Sequence, residues 1–113
     1  MTKFKIKPSQ KENWRYIAFE LIGLEKFAEQ DVVKAILSAN LHLYGEIGTS
    51  EENLWLVEFD FEKQRGIARC SHKTQQKTAA ALTAITKINE KDAVFNIVTV
   101  SGTIKKANAK FKN

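Results

Sequence analysis

Leu54 to Ser71, L-W-L-V-E-F-D-F-E-K-Q-R-G-I-A-R-C-S, is the stretch whose reading decides the fold. Its first part, L-W-L-V-E-F-D-F (54–61), is rich in aromatic and branched residues. It reads as a strand with Trp55, Val57, Phe59 and Phe61 on one face. Glu62 to Gln64 is turn-like, and R-G-I-A-R-C-S (65–71) has the length of a returning hairpin strand. What flanks this hairpin sets the topology.

Upstream, W-R-Y-I-A-F-E-L-I (14–22) is rich in β-branched and aromatic residues and reads as a strand. Residues 30–44 show helical spacing: Val33, Ile36, Leu37 and Tyr44 share a face, with Val32 and Leu43 at its edges. Gly45 is placed to end that helix as the residue just beyond it. Downstream, Thr74 caps a second helix over 75–89, with Thr78, Ala81, Leu82, Ile85 and Ile88 as its buried stripe. Residues 93–101 form a fourth strand and 104–112 a terminal helix. The order strand, helix, strand, strand, helix, strand is that of an α+β, ferredoxin-like sandwich, also the layout of the RNA-recognition motif. It predicts a four-stranded antiparallel sheet with two helices on one face, plus a short C-terminal helix. Residues 1–12, alternately basic, read as a flexible arm, and 13–113 as one domain. The strands offer apolar residues to both faces, Ile17 and Phe19 against Tyr16 and Ala18. The outer face therefore needs a cover, supplied by Ile104, Ala107 and Phe111 of the terminal helix and by another molecule.

Charge is segregated along the chain. Net charge is +5, from 18 Lys+Arg and 13 Asp+Glu. Residues 1–16, 17–62 and 63–113 carry +4, −8 and +9. Such a surface suits a polyanion on one side and a protein on the other. The pI of about 9.4 favours nucleic acid as that polyanion, with a membrane surface as the alternative. One cysteine, Cys70, excludes an internal disulfide and suits a reducing compartment. No apolar run approaches the ~20 residues of a membrane span, and the basic start lacks the apolar core of a signal peptide. The expected location is cytoplasmic.

I-V-T-V-S-G-T-I-K-K (97–106) is the most pointed motif. A β-branched run stops at Ser101-Gly102-Thr103, and Lys105 and Lys106 follow. Gly102 permits a tight turn or a close approach that a Cβ would obstruct, and Thr103 is an N-cap for the last helix. Free N–H donors beside two lysines suit a phosphate. The alternative reading is a capped strand-to-helix turn with solvated lysines.

Enzymatic constellations are absent. His42 and His72 are too isolated for a zinc site, and Cys70 on a strand reads as a buried thiol. Gly45-x-x-Gly48 is too short and acidic to cradle phosphate. The third strand, Arg65 to Ser71, lacks the aromatics on which an RNA-recognition motif stacks bases, so stacking on the sheet is disfavoured. Contact with RNA phosphates needs no such signature. Arg65, Arg69, His72, Lys73 and Lys77 lie in a stretch without acids. Arg15 is on the first strand, which neighbours the third, so Arg15 and Arg69 are expected near each other.

R-Y-I-A-F-E on the first strand, R-G-I-A-R on the hairpin, the alanine-rich second helix and the closing V-S-G-T-I-K-K-A together resemble the ribonuclease P protein component 2 family of archaea, shared with eukaryotes. The likeness runs from about Arg15 to Lys106. It implies a non-catalytic protein subunit of ribonuclease P, the endoribonuclease that removes the 5′ leader from precursor tRNA. It implies catalysis by the RNA subunit with Mg²⁺ on that RNA, and no cofactor on the chain itself. The implied partners are the ribonuclease P RNA, the TIM-barrel-like protein component 3, the other ribonuclease P proteins and precursor tRNA, with no membrane. Arg15, Arg69, Ser101, Gly102, Thr103, Lys105 and Lys106 are motif matches. With Arg65 and Lys73 they make the expected RNA-binding set. The alternative is a ferredoxin-like regulatory or protein-interaction domain without RNA.

Overall fold

The computed structural model describes residues 13–48 and 54–111, the side chains of 42–48 excepted. The basic segment 1–12 and the side chains of His42, Leu43 and Tyr44 lie outside the described residues. The elements are β1 (Trp14–Ile22), α1 (Glu29–Gly48), β2 (Leu54–Asp60), β3 (Arg65–Ser71), a 3₁₀ turn (His72–Thr74), α2 (Gln75–Thr83), β4 (Lys87–Ile88), β5 (Lys91–Asp92), β6 (Val94–Ser101) and α3 (Ile104–Ala109). The main sheet is antiparallel in the order β2-β3-β1-β6. This is the ferredoxin-like arrangement expected from the element order, with the four-residue turn Phe61–Gln64 closing the central hairpin.

Alternation along β1 sorts the interior into two layers. Ile17, Phe19 and Leu21 face α1 and α2, and join Val32, Ile36, Leu54, Leu82 and Phe95 in the main core. Phe19 and Phe95 meet with ring centroids 5.0 Å apart at 43°, a tilted pair that adds about 1 kcal/mol beyond area burial. Ala18, between them in sequence, faces the other way. It forms a second, smaller cluster with Ile67 and Ala107, flanked by Tyr16, Val57, Val98 and Phe111. The terminal helix thus covers the middle of the outer face, as the two-sided apolarity of the strands requires.

Two bulges interrupt the regular register. Val57 is an extra residue in β2 between Leu56, opposite Ala68, and Glu58, opposite Ile67. Val98 is an extra residue in β6 between the partners of Ala18 and Phe19. Each bulge inverts the alternation beyond it. Trp55, Val57, Phe59 and Phe61 therefore do not share one face. Phe59 packs on the main core, Val57 on the α3 side, and Phe61 is 45% exposed, with the Lys26 ammonium 5.3 Å above its ring.

Other boundaries also differ. Helix α1 runs through Gly45 to Gly48, and its buried centre is Val32, Ile36, Ala39 and Asn40, while Leu37 is 37% exposed. Helix α2 stops at Thr83, because Ile85, Thr86 and Ile88 are β-branched and a small hairpin follows. That hairpin turns on Asn89 and Glu90, both at positive φ (53° and 67°), the geometry of a tight two-residue turn. It drives Ile88 into the core from a strand rather than from a helix. Thr74 makes no capping bond; Ser71 instead accepts from the Lys73 N–H at the start of the 3₁₀ turn. Helix α3 ends at Ala109 rather than at 112.

Candidate nucleic-acid interface

Antiparallel pairing gathers distant segments at one end of the sheet. Trp14 lies opposite Ser71, Cys70 opposite Leu54, and Tyr16 opposite Ser101. The start of β1, the start of β2, the end of β3 and the end of β6 therefore share this end. With them come the 3₁₀ turn bearing His72 and Lys73, the first turn of α2 with Lys77, and the first turn of α3 with Lys105 and Lys106. Arg15, Arg69, Lys73, Lys77, Lys105 and Lys106 thus come to the same end of the sheet from three separate stretches. Among the described residues the ion pairs are Lys26–Glu62, Lys87–Asp92 and Lys91–Glu25, none of which involves the four lysines of this end. Lysines gathered without carboxylate partners among the described residues raise the local potential for an anion.

Individual placements correct several expectations. Arg15 and Arg69 are neighbours along the ladder but on opposite faces of the sheet. Arg15 is opposite Cys70, on the helix side, while Arg69 lies over the Trp14 ring at 4.3 Å. Arg65 stands apart altogether: it pairs with Glu20 and Asp60 at the far end, four residues or ~13 Å from Arg69. Its guanidinium donates to the Phe111 carbonyl at 3.3 Å and covers the Phe111 ring at 4.7 Å. Arg65 therefore fastens the end of α3 to the sheet.

Ser101, Gly102 and Thr103 do form the expected strand-to-helix turn. Thr103 is its N-cap, accepting from the Lys106 N–H at 3.1 Å. That bond already occupies the hydroxyl, and a six-residue helix offers little dipole. Anion affinity here rests on the lysine charges. Gly102 meets no internal obstruction: a Cβ there would find no heavy atom within 4 Å, and its φ is not left-handed. The close approach that demands glycine inside the molecule occurs at Gly66, where a Cβ would sit 2.6 Å from the Glu58 carbonyl oxygen.

Cys70 is fully buried beneath α2. Burial pushes its thiol up to about 11, while the Thr78 hydroxyl and the Arg15 charge pull the other way. A thiol this hard to ionise is no nucleophile at neutral pH. Among the described residues no three His, Cys, Asp or Glu side chains gather to hold a metal, and no helix is long and apolar enough to cross a membrane.

The far end of the sheet has the opposite character. Glu58, Asp60, Glu62 and Glu20 cluster around the β2–β3 turn and its neighbours, and Glu25 follows β1. Exposed apolar side chains accompany them: Ile22 at 55% and Val94 at 52%, paired across β1 and β6, with Leu24 wholly exposed and Phe61 at the start of the turn.

The profile of the Rpp14/Pop5 family matches residues 15–112. The chain belongs to that family. Its relatives include ribonuclease P protein component 2 of Thermococcus gammatolerans, 41% identical over 104 residues, covering 92% of this chain and 87% of that protein. The component 2 of Methanosarcina mazei is 39% identical over 107 residues, covering 95% and 90%. In fold, the chain is similar to one in the cryo-EM structure of yeast ribonuclease MRP, with a TM-score of 0.62 and 10% identity, over 82% of this chain and 76% of that one. At that identity the likeness shows the fold alone. This Rpp14/Pop5 member is a protein component of ribonuclease P, an endoribonuclease.

Two residues at the basic end of this Rpp14/Pop5 chain escape a reading of its sequence, Trp14 and Trp55. Regular counting back from Phe59 assigns Trp55 to the core face, and only the bulge at Val57 turns it outward. Trp14, 9% exposed, is noticed only once Arg69 is seen above it.

Proposed function

We propose that this ribonuclease P subunit binds and stabilises the catalytic RNA with the basic end of its sheet, for removal of the 5′ leader from precursor tRNA. The observation that carries the reading is the convergence of Arg15, Arg69, Lys73, Lys105 and Lys106 at one end, where the lysines have no carboxylate partners among the described residues. Charge of this kind neutralises phosphates without reading sequence. In this reading cleavage falls to the RNA, where bound Mg²⁺ activates water. The acidic, apolar far end is the side for a sister protein, the TIM-barrel-like component 3, and the assembly works in the cytoplasm.

The test is the salt dependence of binding to ribonuclease P RNA. Lys105→Ala with Lys106→Ala should lower affinity and reduce the log–log salt slope by about 0.7 to 0.9 for each phosphate no longer neutralised. An unchanged slope in the folded double variant removes these lysines from the interface. Reconstituted cleavage at limiting Mg²⁺ is the second arm. The protein with component 3 should stimulate the RNA, and no stimulation refutes the assignment.

A further inference from the structure

We infer that an acidic residue, Glu58, serves RNA binding as a positioning residue: it holds α3 so that Lys105 and Lys106 are presented from a fixed backbone. The inference rests on the proposed RNA binding and deepens it, from which cations meet phosphate to what holds those cations in place. Both lysines are exposed in the first turn of α3, and among the described residues neither has a carboxylate partner. Their placement therefore comes from the helix backbone. A helix of six residues is too short to persist in water by itself. It exists because it is tethered, and the tethers decide where the lysines stand.

Each tether fixes something different. The Thr103 hydroxyl accepts from the Lys106 N–H at 3.1 Å, which sets the shape of the turn but not its seat on the sheet. Ala107 seats the helix on Ala18 and Ile67, yet a single methyl does not stop it rolling about its axis. Arg65 holds the chain at Phe111, beyond the helix end. Asn108, next to Ala107, donates to the Glu58 carboxylate on β2 at 3.0 Å. Among the described residues this is the one side-chain hydrogen bond from the body of α3 to the sheet. Successive residues point about 100° apart around a helix, so fixing Asn108 fixes the directions of Lys105 and Lys106. The bulge at Val57 makes the bond possible. Counted on from the Leu56–Ala68 pair without that extra residue, Glu58 would lie opposite Gly66 and face the core. With it, Glu58 lies opposite Ile67, on the face that α3 crosses.

Electrostatics and positioning predict opposite signs, which makes the test sharp. Binding of ribonuclease P RNA is titrated across a salt series with the full-length protein and its variants. Loss of a carboxylate, taken by itself, tightens the binding of a polyanion. Glu58→Ala should instead weaken binding by roughly 2- to 5-fold, with an unaltered salt slope because the same phosphates are neutralised. Glu58→Gln keeps an acceptor for Asn108 and loses the charge, so it should bind at least as tightly as the wild type. Asn108→Ala should match Glu58→Ala, and the double variant should be no weaker than either. Thermal melting checks that the variants are folded, and Asn108→Ala carries the test alone if Glu58→Ala is not. Either alanine variant binding as tightly as the wild type, or more tightly, overturns the positioning role and leaves the cationic end standing. Wild-type binding that does not vary with salt overturns both.

Discussion

Two glycines, Gly66 and Gly102, should respond in opposite ways to the same methyl group. At Gly66 an alanine Cβ would lie 2.6 Å from the Glu58 carbonyl oxygen, 3.0 Å from Phe19 Cζ and 3.1 Å from Phe59 Cδ1. The nearest atom is backbone, in a strand held by the ladder, so it cannot swing aside. Forcing a methyl into such a site costs typically 1–3 kcal/mol. A Gly→Ala change also removes unfolded-state entropy, recovering about 0.4–1 kcal/mol where the backbone allows it. With the clash at the upper end, the net loss for Gly66→Ala is about 2 kcal/mol, or roughly 10 °C in Tm for a domain of this size. At Gly102 the same methyl meets no heavy atom within 4 Å. Gly102→Ala should change stability by less than about 0.5 kcal/mol, with a small gain the expected sign. Its effect should appear in RNA affinity, because only an external backbone has reason to approach that turn. Thermal unfolding followed by circular dichroism gives the first comparison, and RNA titration the second. A Gly66→Ala protein that melts with the wild type, or a Gly102→Ala protein that melts well below it, refutes the steric reasoning.

Arg65→Ala should release the end of α3, removing the 3.3 Å bond and the stacking on the Phe111 ring at a cost of about 1–2 kcal/mol. It should raise hydrogen exchange in α3 while leaving the RNA salt slope unchanged; a lowered slope would return Arg65 to the interface. Cys70 makes stability pH-dependent above neutrality. Below pH 9 the thiol is neutral in both states, but between the ordinary 9.0 and the folded value of about 11 only the unfolded chain ionises. Stability should therefore fall across that window by about 2–3 kcal/mol. Urea unfolding at pH 8 and pH 10.5, compared with Cys70→Ala, isolates this contribution, and an equal decline in both proteins refutes it.

The element order is legible because each long strand carries its own signature. Trp14–Ile22 and Arg65–Ser71 fall on the predicted bounds, and the need for a terminal helix shows in the apolar residues on both strand faces. Tertiary packing sets the rest. The Leu82 stripe continues into Ile85 and Ile88 at helical spacing, so nothing local separates the end of α2 from the start of the β4–β5 hairpin. The phase of α1 slips for a similar reason: Asn40 is fully buried, where an apolar count sees only a polar residue. At the site, charge is legible and geometry is not. The cations of the Arg65–Lys77 stretch look like one surface in sequence, yet a strand spreads its residues along its length. Arg65 consequently ends beside Phe111 and Arg69 beside Trp14. Bulges are the least visible feature of all, since an extra valine in a β-branched run looks like more of the same strand.

The shortness of α3 joins stability to recognition. A sheet with helices on one face must hide Ala18 and Ile67 on the other, and Ala107 does so from a helix of only six residues. Thr103 caps its start, and Arg65 clamps its end across the sheet from where it began. Asn108 holds it to Glu58 on β2 at 3.0 Å. The helix therefore crosses the face obliquely, from the basic end of β6 to the acidic end of β2 and β3. An oblique rod on a four-stranded sheet covers the middle and not its opposite corners. Among the described residues, one of those corners holds half-buried Trp55 and Arg69, the other the exposed pair Ile22 and Val94. A longer or more nearly parallel helix would bury the same core and erase both corners. The same six residues thus decide which parts of the sheet are core and which are left for other molecules.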